Sequence, residues 1–238
     1  DEIKDLKGKI PKGTYALTYG NLPWAFMSLL YGAGGTLEND MDDLTKDVWR
    51  KPMEKLKEAY DAGVIAPMDV DGEQAFGSGK AVFAQLGTWA QGNMSNTLGA
   101  DKIAEANTLQ YSADNPVNFF YQCNWMQLKD PHRSAAKSAA AADFVKYVYE
   151  HWMDWSEVHL AGNRDLNNPE YQKLIQASFT NSKKERDYIK TSNYLYGGYA
   201  TAGWGTYNDI VYGNVGLEEG LKTLDLMAQG QIEIQEES

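Results

Sequence analysis

Residues 13–35 read GTYALTYGNLPWAFMSLLYGAGG, two apolar runs of different character separated by a turn. The first, within 13–20, is bounded by glycines and too short for a stable helix, so it predicts a strand. The second begins near Asn21 and Pro23, a residue tolerated in the first turn of a helix, and stops at the glycines of GAGG. Strand, turn and helix in that order commit this part of the chain to helices laid on a sheet. Trp24 stands in the turn, at the helix start.

The same alternation continues. Residues 45–62 place Val48, Trp49, Met53, Leu56 and Tyr60 near one helical face, with Gly63 as the stop; Pro52 either sits in the first turns or marks the true start. A short helix or turn is expected over 74–79, a strand over 81–86, and a helix start or loop over 88–96. The imperfect period of 81–86 predicts a strand buried on both faces. Residues 117–128 form an aromatic-rich strand candidate. Beyond Pro131, with Ser134 as cap, 135–152 predicts a helix whose core stripe is Phe144, Val145, Tyr147, Val148 and Trp152. Helices are then expected over 153–160, 169–180, 183–194, 201–212 and 217–228, with GNVG at 213–216 separating the last two. The order is α/β with a mainly helical C-terminal part.

Composition removes several function classes. The 238 residues carry a net charge of −11, which opposes electrostatic capture of nucleic acid or anionic lipid. The richest apolar stretch, 24–31, is too short to span a bilayer. The lone Cys123 rules out an intrachain disulfide and a multi-cysteine zinc site, and its apolar surroundings predict a buried, inert thiol. The charged start, DEIKDLKGKIPKG, holds no apolar signal core: a signal was removed or none existed.

Motif chemistry is sparse. His151, Asp154 and His159 are close in sequence, but the two histidines are eight apart with few carboxylates to complete a site, so no metal site is expected. The acidic stretches ENDMDD at 38–43 and DVDGEQ at 69–74 lack the later glutamate of a calcium loop and read as turn chemistry. GAGG follows a helix instead of a strand, and GSGK at 77–80 lacks both the four-residue spacer and a following Ser or Thr; neither makes a phosphate loop. No nucleophile elbow is present.

Aromatic usage remains: seven tryptophans and fifteen tyrosines. Trp49, Trp152 and Trp155 fit helix core stripes. Trp24, Trp89 and Trp204 stand instead at element ends: Trp24 beside Pro23, Trp89 after a strand and Gly87, Trp204 between Gly203 and Gly205. Each either packs in the core or offers a flat face to a ligand, and such faces suit sugar rings, whose C–H faces are apolar and whose edges are polar.

These segments, in this order, resemble the sugar-binding family of extracellular solute-binding proteins of ABC importers. GTYALTYGNLPWAFMSLLYGAGGTL resembles the family's strand, aromatic turn, helix and Gly-Gly pair, and VWRKPMEKLKEAYDAGVIAP its helix with a Gly-Val-x-Pro-like exit. FGSGKAVFAQLGTWA, residues 76–90, is the most specific piece: Phe, a Gly-Lys pair, a strand, then Gly-x-Trp. KDPHRSAAKSAAAADFVKYVYE and GWGTYNDIVYGNVGLEEGLKTLDLMAQGQI resemble the later helices.

The resemblance implies a periplasmic-binding-protein-like fold of two α/β lobes closing on a carbohydrate without catalysis. It implies sugar-stacking roles for Trp24, Trp89 and Trp204, with Gln85 and Asn124 as polar candidates. It further implies no cofactor, no metal, a monomer, an ABC permease as membrane partner, and an extracytoplasmic place as a cell-surface lipoprotein or periplasmic protein. Residues 10–115 and 194–234 would form the second lobe, and 117–193 would cross into the first. Nothing before Gly13 resembles the long opening part of family members, so the expectation is a chain that is N-terminally truncated relative to the two-lobe fold, or an unusually short relative. Two other classes stay open: a carbohydrate-active enzyme using dispersed carboxylates in an aromatic cleft, and a scaffold or adhesion module whose aromatics are all core.

Overall fold

A computed structural model describes residues 1–20, 22–37, 39–99, 101–104, 108–115, 117–120, 127–156, 168–170, 188–190 and 204–229. The chain divides into two compact units. Unit 1 comprises Asp1–Leu86, Ala106–Phe120 and Lys183–Ser238, and unit 2 comprises Gly87–Glu105 and Tyr121–Ser182.

In unit 1 the first strand, β1 (Tyr15–Tyr19), has a buried centre and pairs in parallel with β2 (Ala81–Gln85), Tyr15 opposite Ala81 and Tyr19 opposite Gln85. On its other edge β1 pairs with the short segment around Ile65: Ala16 N–H donates to Val64 O at 2.9 Å, and Ala66 N–H to Leu17 O at 2.9 Å. Parallel neighbours need crossovers. These are α1 (Leu22–Gly32) and α2 (Asp47–Asp61) before Ile65, then α3 (Gly72–Gly77) before β2. A second parallel pair joins β3 (Asn118–Phe120) to β4 (Tyr188–Lys190), Asn118 opposite Tyr188.

The core of unit 1 is a four-helix cover on β1. Phe26 of α1 stacks on Trp49 of α2 at 5.7 Å between ring centroids and meets Tyr207 at 5.4 Å. Tyr207 lies on α7 (Trp204–Tyr212), which packs on α8 (Leu217–Ala228). Trp49, Met53 and Leu56 are buried on one face of α2 at the expected helical spacing, with Val48 and Tyr60 half-buried beside them. Trp49 is therefore a core residue, and its indole N–H donates to Asp40 O at 2.7 Å. Pro52 does not mark the start of α2: the helix begins five residues earlier, at Asp47.

Unit 2 contains a 3-10 turn (Thr88–Ala90), α4 (Gln91–Leu98), α5 (Ala135–Glu150) and α6 (Trp152–Ser156). Ser134 caps α5 as expected, its hydroxyl accepting from Lys137 N–H at 3.2 Å.

Three expectations are corrected. β2 is not buried on both faces: Val82 and Phe83 are 42% and 45% exposed, because among the described residues β2 pairs only with β1 and its side chains on both faces keep part of their surface in water. The stripe on α5 is not core, with Phe144 54% and Tyr147 58% exposed and Val148 and Trp152 half-buried. Periodicity names the face a helix can bury, not a surface to bury it against. Third, a strand, β4, falls inside the helix expected over 183–194; Tyr-Ile suits a strand, and the ladder offered by β3 overrides weak local helix preference. The strand expected over 117–128 is present as β3, residues 121–126 lie outside the described residues, and Gln127 and Leu128 are not strand. Cys123 and His159, like the expected helix 171–180, lie outside the described residues.

Candidate functional site

Turn chemistry shapes the carboxyl end of β1. After the strand, Gly20 N–H donates to Gln85 O at 3.1 Å, which draws the start of α1 against the end of β2. On the far side, Asp71 caps α3 by accepting from Gln74 N–H at 2.9 Å. Gly72, the first residue of α3, then lies so close to β1 that a Cβ there would stand 2.6 Å from Tyr19 O. Thr18 Oγ1 donates to Gly72 O at 3.2 Å across the same junction. The acidic stretch 69–74 is thus a helix cap. The other stretch is turn chemistry: Asp43 accepts from Thr45 N–H at 2.9 Å, and Asp40 from Thr36 N–H at 2.7 Å. Among the described residues no cluster of His, Cys, Asp and Glu could hold a metal ion. GAGG is a helix stop, as expected: Gly34 adopts a φ of +90°, and Gly35 N–H returns to Leu30 O at 3.0 Å.

Three of the five expected residues belong to unit 1. Trp24 is the third residue of α1, Trp204 opens α7, and Gln85 ends β2. The Phe26–Tyr207 contact, two residues on from Trp24 and three on from Trp204, packs α7 against α1. The Gly20–Gln85 bond ties β2 to the turn that leads into α1. Gln85 and the turn into α1 that carries Trp24 therefore lie at the carboxyl end of the β1–β2 pair, where open parallel sheets bind ligands. The rings of Trp24 and Trp204 are outside the described residues, as is Asn124.

Trp89, in unit 2, sits in the 3-10 turn four residues beyond β2 and is 46% exposed. Its six-membered ring occupies the space a side chain at 87 would need: a Cβ on Gly87 would lie 1.8 Å from Cζ3 and 2.1 Å from Cε3. The glycine is thus a steric requirement of the tryptophan's position. Backed by Gly87 on one side and open to solvent for nearly half its surface, the ring has the geometry of a stacking platform.

Sequence reasoning missed Tyr19. Its register partner is Gln85, so both side chains leave the sheet on one face. Tyr19 Oη and Gln85 Oε1 are both buried without a hydrogen-bond partner among the described residues. Burial, and secondarily the neighbouring Tyr212, push the Tyr19 phenol well above the usual tyrosine range, so it stays a neutral O–H. The available signal was strand parity: in YALTY, Tyr15, Leu17 and Tyr19 share a face.

With this geometry in place, comparison with known proteins gives the class. Residues 1–159 match the family model of the bacterial extracellular solute-binding proteins, and the chain belongs to that family. No curated protein sequence matches it. Among solved structures the fold is similar to maltose-bound T. maritima MalE3, with a TM-score of 0.68 at 13% identity over 97% of this chain and 63% of that one. It is also similar to the cyclic alpha-maltosyl-1,6-maltose binding protein from Arthrobacter globiformis, with a TM-score of 0.60 at 16% identity over 97% of this chain and 63% of that one. The maltose/maltodextrin-binding domain MalE from Bdellovibrio bacteriovorus, bound to maltotriose, gives 0.62 at 15% identity over 97% and 65%. These likenesses establish a periplasmic-binding-protein-like fold, a mixed α/β architecture. The chain spans about 63% of the length of the first two structures it matches.

Proposed function

We propose that the chain binds a carbohydrate, an oligosaccharide by preference, outside the cytoplasm for uptake through an ABC permease, and that it does so without catalysis. The observation that carries this reading is Trp89, pinned against Gly87 and still 46% exposed. A half-solvated indole of this kind gains by covering its open face with the C–H face of a pyranose. Trp24 and Trp204 supply further stacking surfaces, and Gln85 and Asn124 hydrogen-bond sugar hydroxyls. Support comes also from the family and from structural neighbours that hold maltose and maltotriose.

In this reading 10–115 and 194–234 form one lobe, 117–193 crosses to the other, and ligand shifts the pair toward a closed state. The protein is a monomer at the outer side of the membrane, as a lipoprotein or free in the periplasm, and needs no metal or cofactor. Among the described residues no helix is long and apolar enough to cross a membrane.

The test is a tryptophan-fluorescence titration with maltose and maltotriose, repeated on Trp89→Ala. Removing a central stacking ring weakens binding by about 10-fold or more. An unaltered titration in the variant would sink the site, and silence of the wild-type protein toward these and other oligosaccharides would sink the substrate class.

A further inference from the structure

Residues 4–12 hold four lysines against one aspartate, in a chain whose net charge is −11. Two lysine–glycine turns shape this part of unit 1, one after the 3-10 turn Lys4–Leu6 and one just before β1. In the first, Lys7 takes φ −56° and ψ 124°, Gly8 takes φ +79°, and Lys9 N–H donates to Leu6 O at 2.9 Å. This is a type II turn, which needs glycine at its third residue. The second turn repeats the arrangement: Gly13 takes φ +84°, and Thr14 N–H donates to Pro11 O at 3.1 Å.

Both turns line one open cavity of about 360 Å³ before the amino end of β1. Lys7, Gly8, Ile10, Lys12 and Gly13 contribute to its wall, together with Gly63, which leads into the segment paired with β1. Gln85 stands at the opposite, carboxyl end of the β1–β2 pair. Lys4 and Lys55 are both paired to Glu58, whereas Lys7 and Lys12 meet no carboxylate among the described residues. The N–H groups of Gly8, Ile10, Lys12 and Gly13 likewise donate to no acceptor among them. One cavity is therefore lined by two ammonium groups and four amide donors, with no anionic partner for the ammonium charges.

We propose that this cavity binds a small tetrahedral oxyanion of the phosphate class. Lys7 and Lys12 supply the charge, and the amides of the two turns supply directed donors, the pairing that oxyanions need. Two like charges on one wall repel each other, and an anion between them removes that cost. A neutral sugar would leave both ammonium groups unpaired. Because both lysines are exposed, binding is weak and falls as salt rises. The assignment does not rest on the carbohydrate reading.

The experiment titrates inorganic phosphate into the isotope-labelled chain at constant ionic strength, replacing chloride, and follows the backbone amide resonances by nuclear magnetic resonance. The Gly8 and Gly13 resonances shift and saturate in the wild-type protein. In Lys7→Gln/Lys12→Gln the Kd rises by about 10-fold, and in either single variant by less; the single variants carry the test if the double variant does not fold. Lys9→Gln removes the same charge from the same stretch, but Lys9 does not line the cavity, so its Kd stays near wild type. Absence of a saturable shift at Gly8 and Gly13 overturns the proposal. An equal loss in Lys9→Gln also overturns it, because net charge alone would then explain binding. Sedimentation with phosphatidylglycerol vesicles separates the two sources of phosphate: vesicle binding that free phosphate displaces supports the oxyanion site, and vesicle binding without any response to free phosphate overturns it.

Discussion

Gly72→Ala tests the junction that builds the site end of unit 1. Two effects oppose one another. Alanine is the better helix former, by up to about 1 kcal/mol in a helix interior and less at the first position, where Gly72 stands. Against this, its Cβ would sit 2.6 Å from Tyr19 O and 3.0 Å from Tyr19 C, both backbone atoms that cannot rotate away. Overpacking of this kind costs about 1–3 kcal/mol. The Thr18–Gly72 hydrogen bond, already 3.2 Å long, would stretch further, at about 1 kcal/mol. Sterics win, for a net loss of about 2 kcal/mol and, for the unit that melts, a Tm lower by roughly 4–8 °C. Thermal unfolding monitored by circular dichroism reads the shift. Gly72→Ala combined with Thr18→Val should cost less than the sum of the single changes, because both act on one junction. A neutral or stabilised Gly72→Ala protein would refute the argument, since only helix propensity would then be at work.

Gly87→Ala should displace the Trp89 ring while sparing stability, because the clash is with the far end of an exposed side chain; a shifted tryptophan emission with an unchanged Tm is the expected pair of results. Trp49→Phe removes the 2.7 Å bond to Asp40 O and part of a buried ring stack, and should cost about 2 kcal/mol in a denaturant titration. Tyr19 and Tyr212 have phenols raised mainly by burial, so their contribution to stability is complete below the unfolded tyrosine value of about 10 and is lost as pH climbs past it toward the folded values. Absorbance titration at alkaline pH should therefore place Tyr19 and Tyr212 among the tyrosines that ionise only on unfolding, and that unfolding-linked step should shrink by one tyrosine in Tyr19→Phe. Glu58 is the opposite case: the Lys4 ammonium beside it holds its carboxyl below the usual range, so the tie between the N-terminal turn and α2 is present above the ordinary glutamate value and weakens as pH falls through the lowered one. Because that pair is largely solvated, the effect on acid unfolding should be small, and Lys4→Met should barely move the acid midpoint.

Legibility followed the kind of force involved. Helix α2 could be read from its residues, because one apolar face at a 3.6-residue period, closed by a glycine, has few alternatives. The cap at Ser134 and the stop at GAGG were equally plain, since they answer local backbone needs. The strand and turn leading to Trp89 were visible too. Tyr19 was not visible as part of a polar pair, because its partnership with Gln85 depends on the register of two strands 66 positions apart.

By itself the sequence determined what depends on neighbours along the chain: the strand–turn–helix beginning, the helical stripes and caps, and the presence of tryptophans at element ends. Only the tertiary structure decided which stripes are covered. A core stripe could be drawn on both α2 and α5, more sharply on α2, yet Trp49 is wholly buried and Tyr147 is mostly exposed, because burial needs an opposing surface that no local pattern encodes. The same holds for β4 and for the register that sets Gln85 beside Tyr19. Both depend on parallel strand pairing, a long-range term whose cost in chain entropy is offset only when the whole core forms.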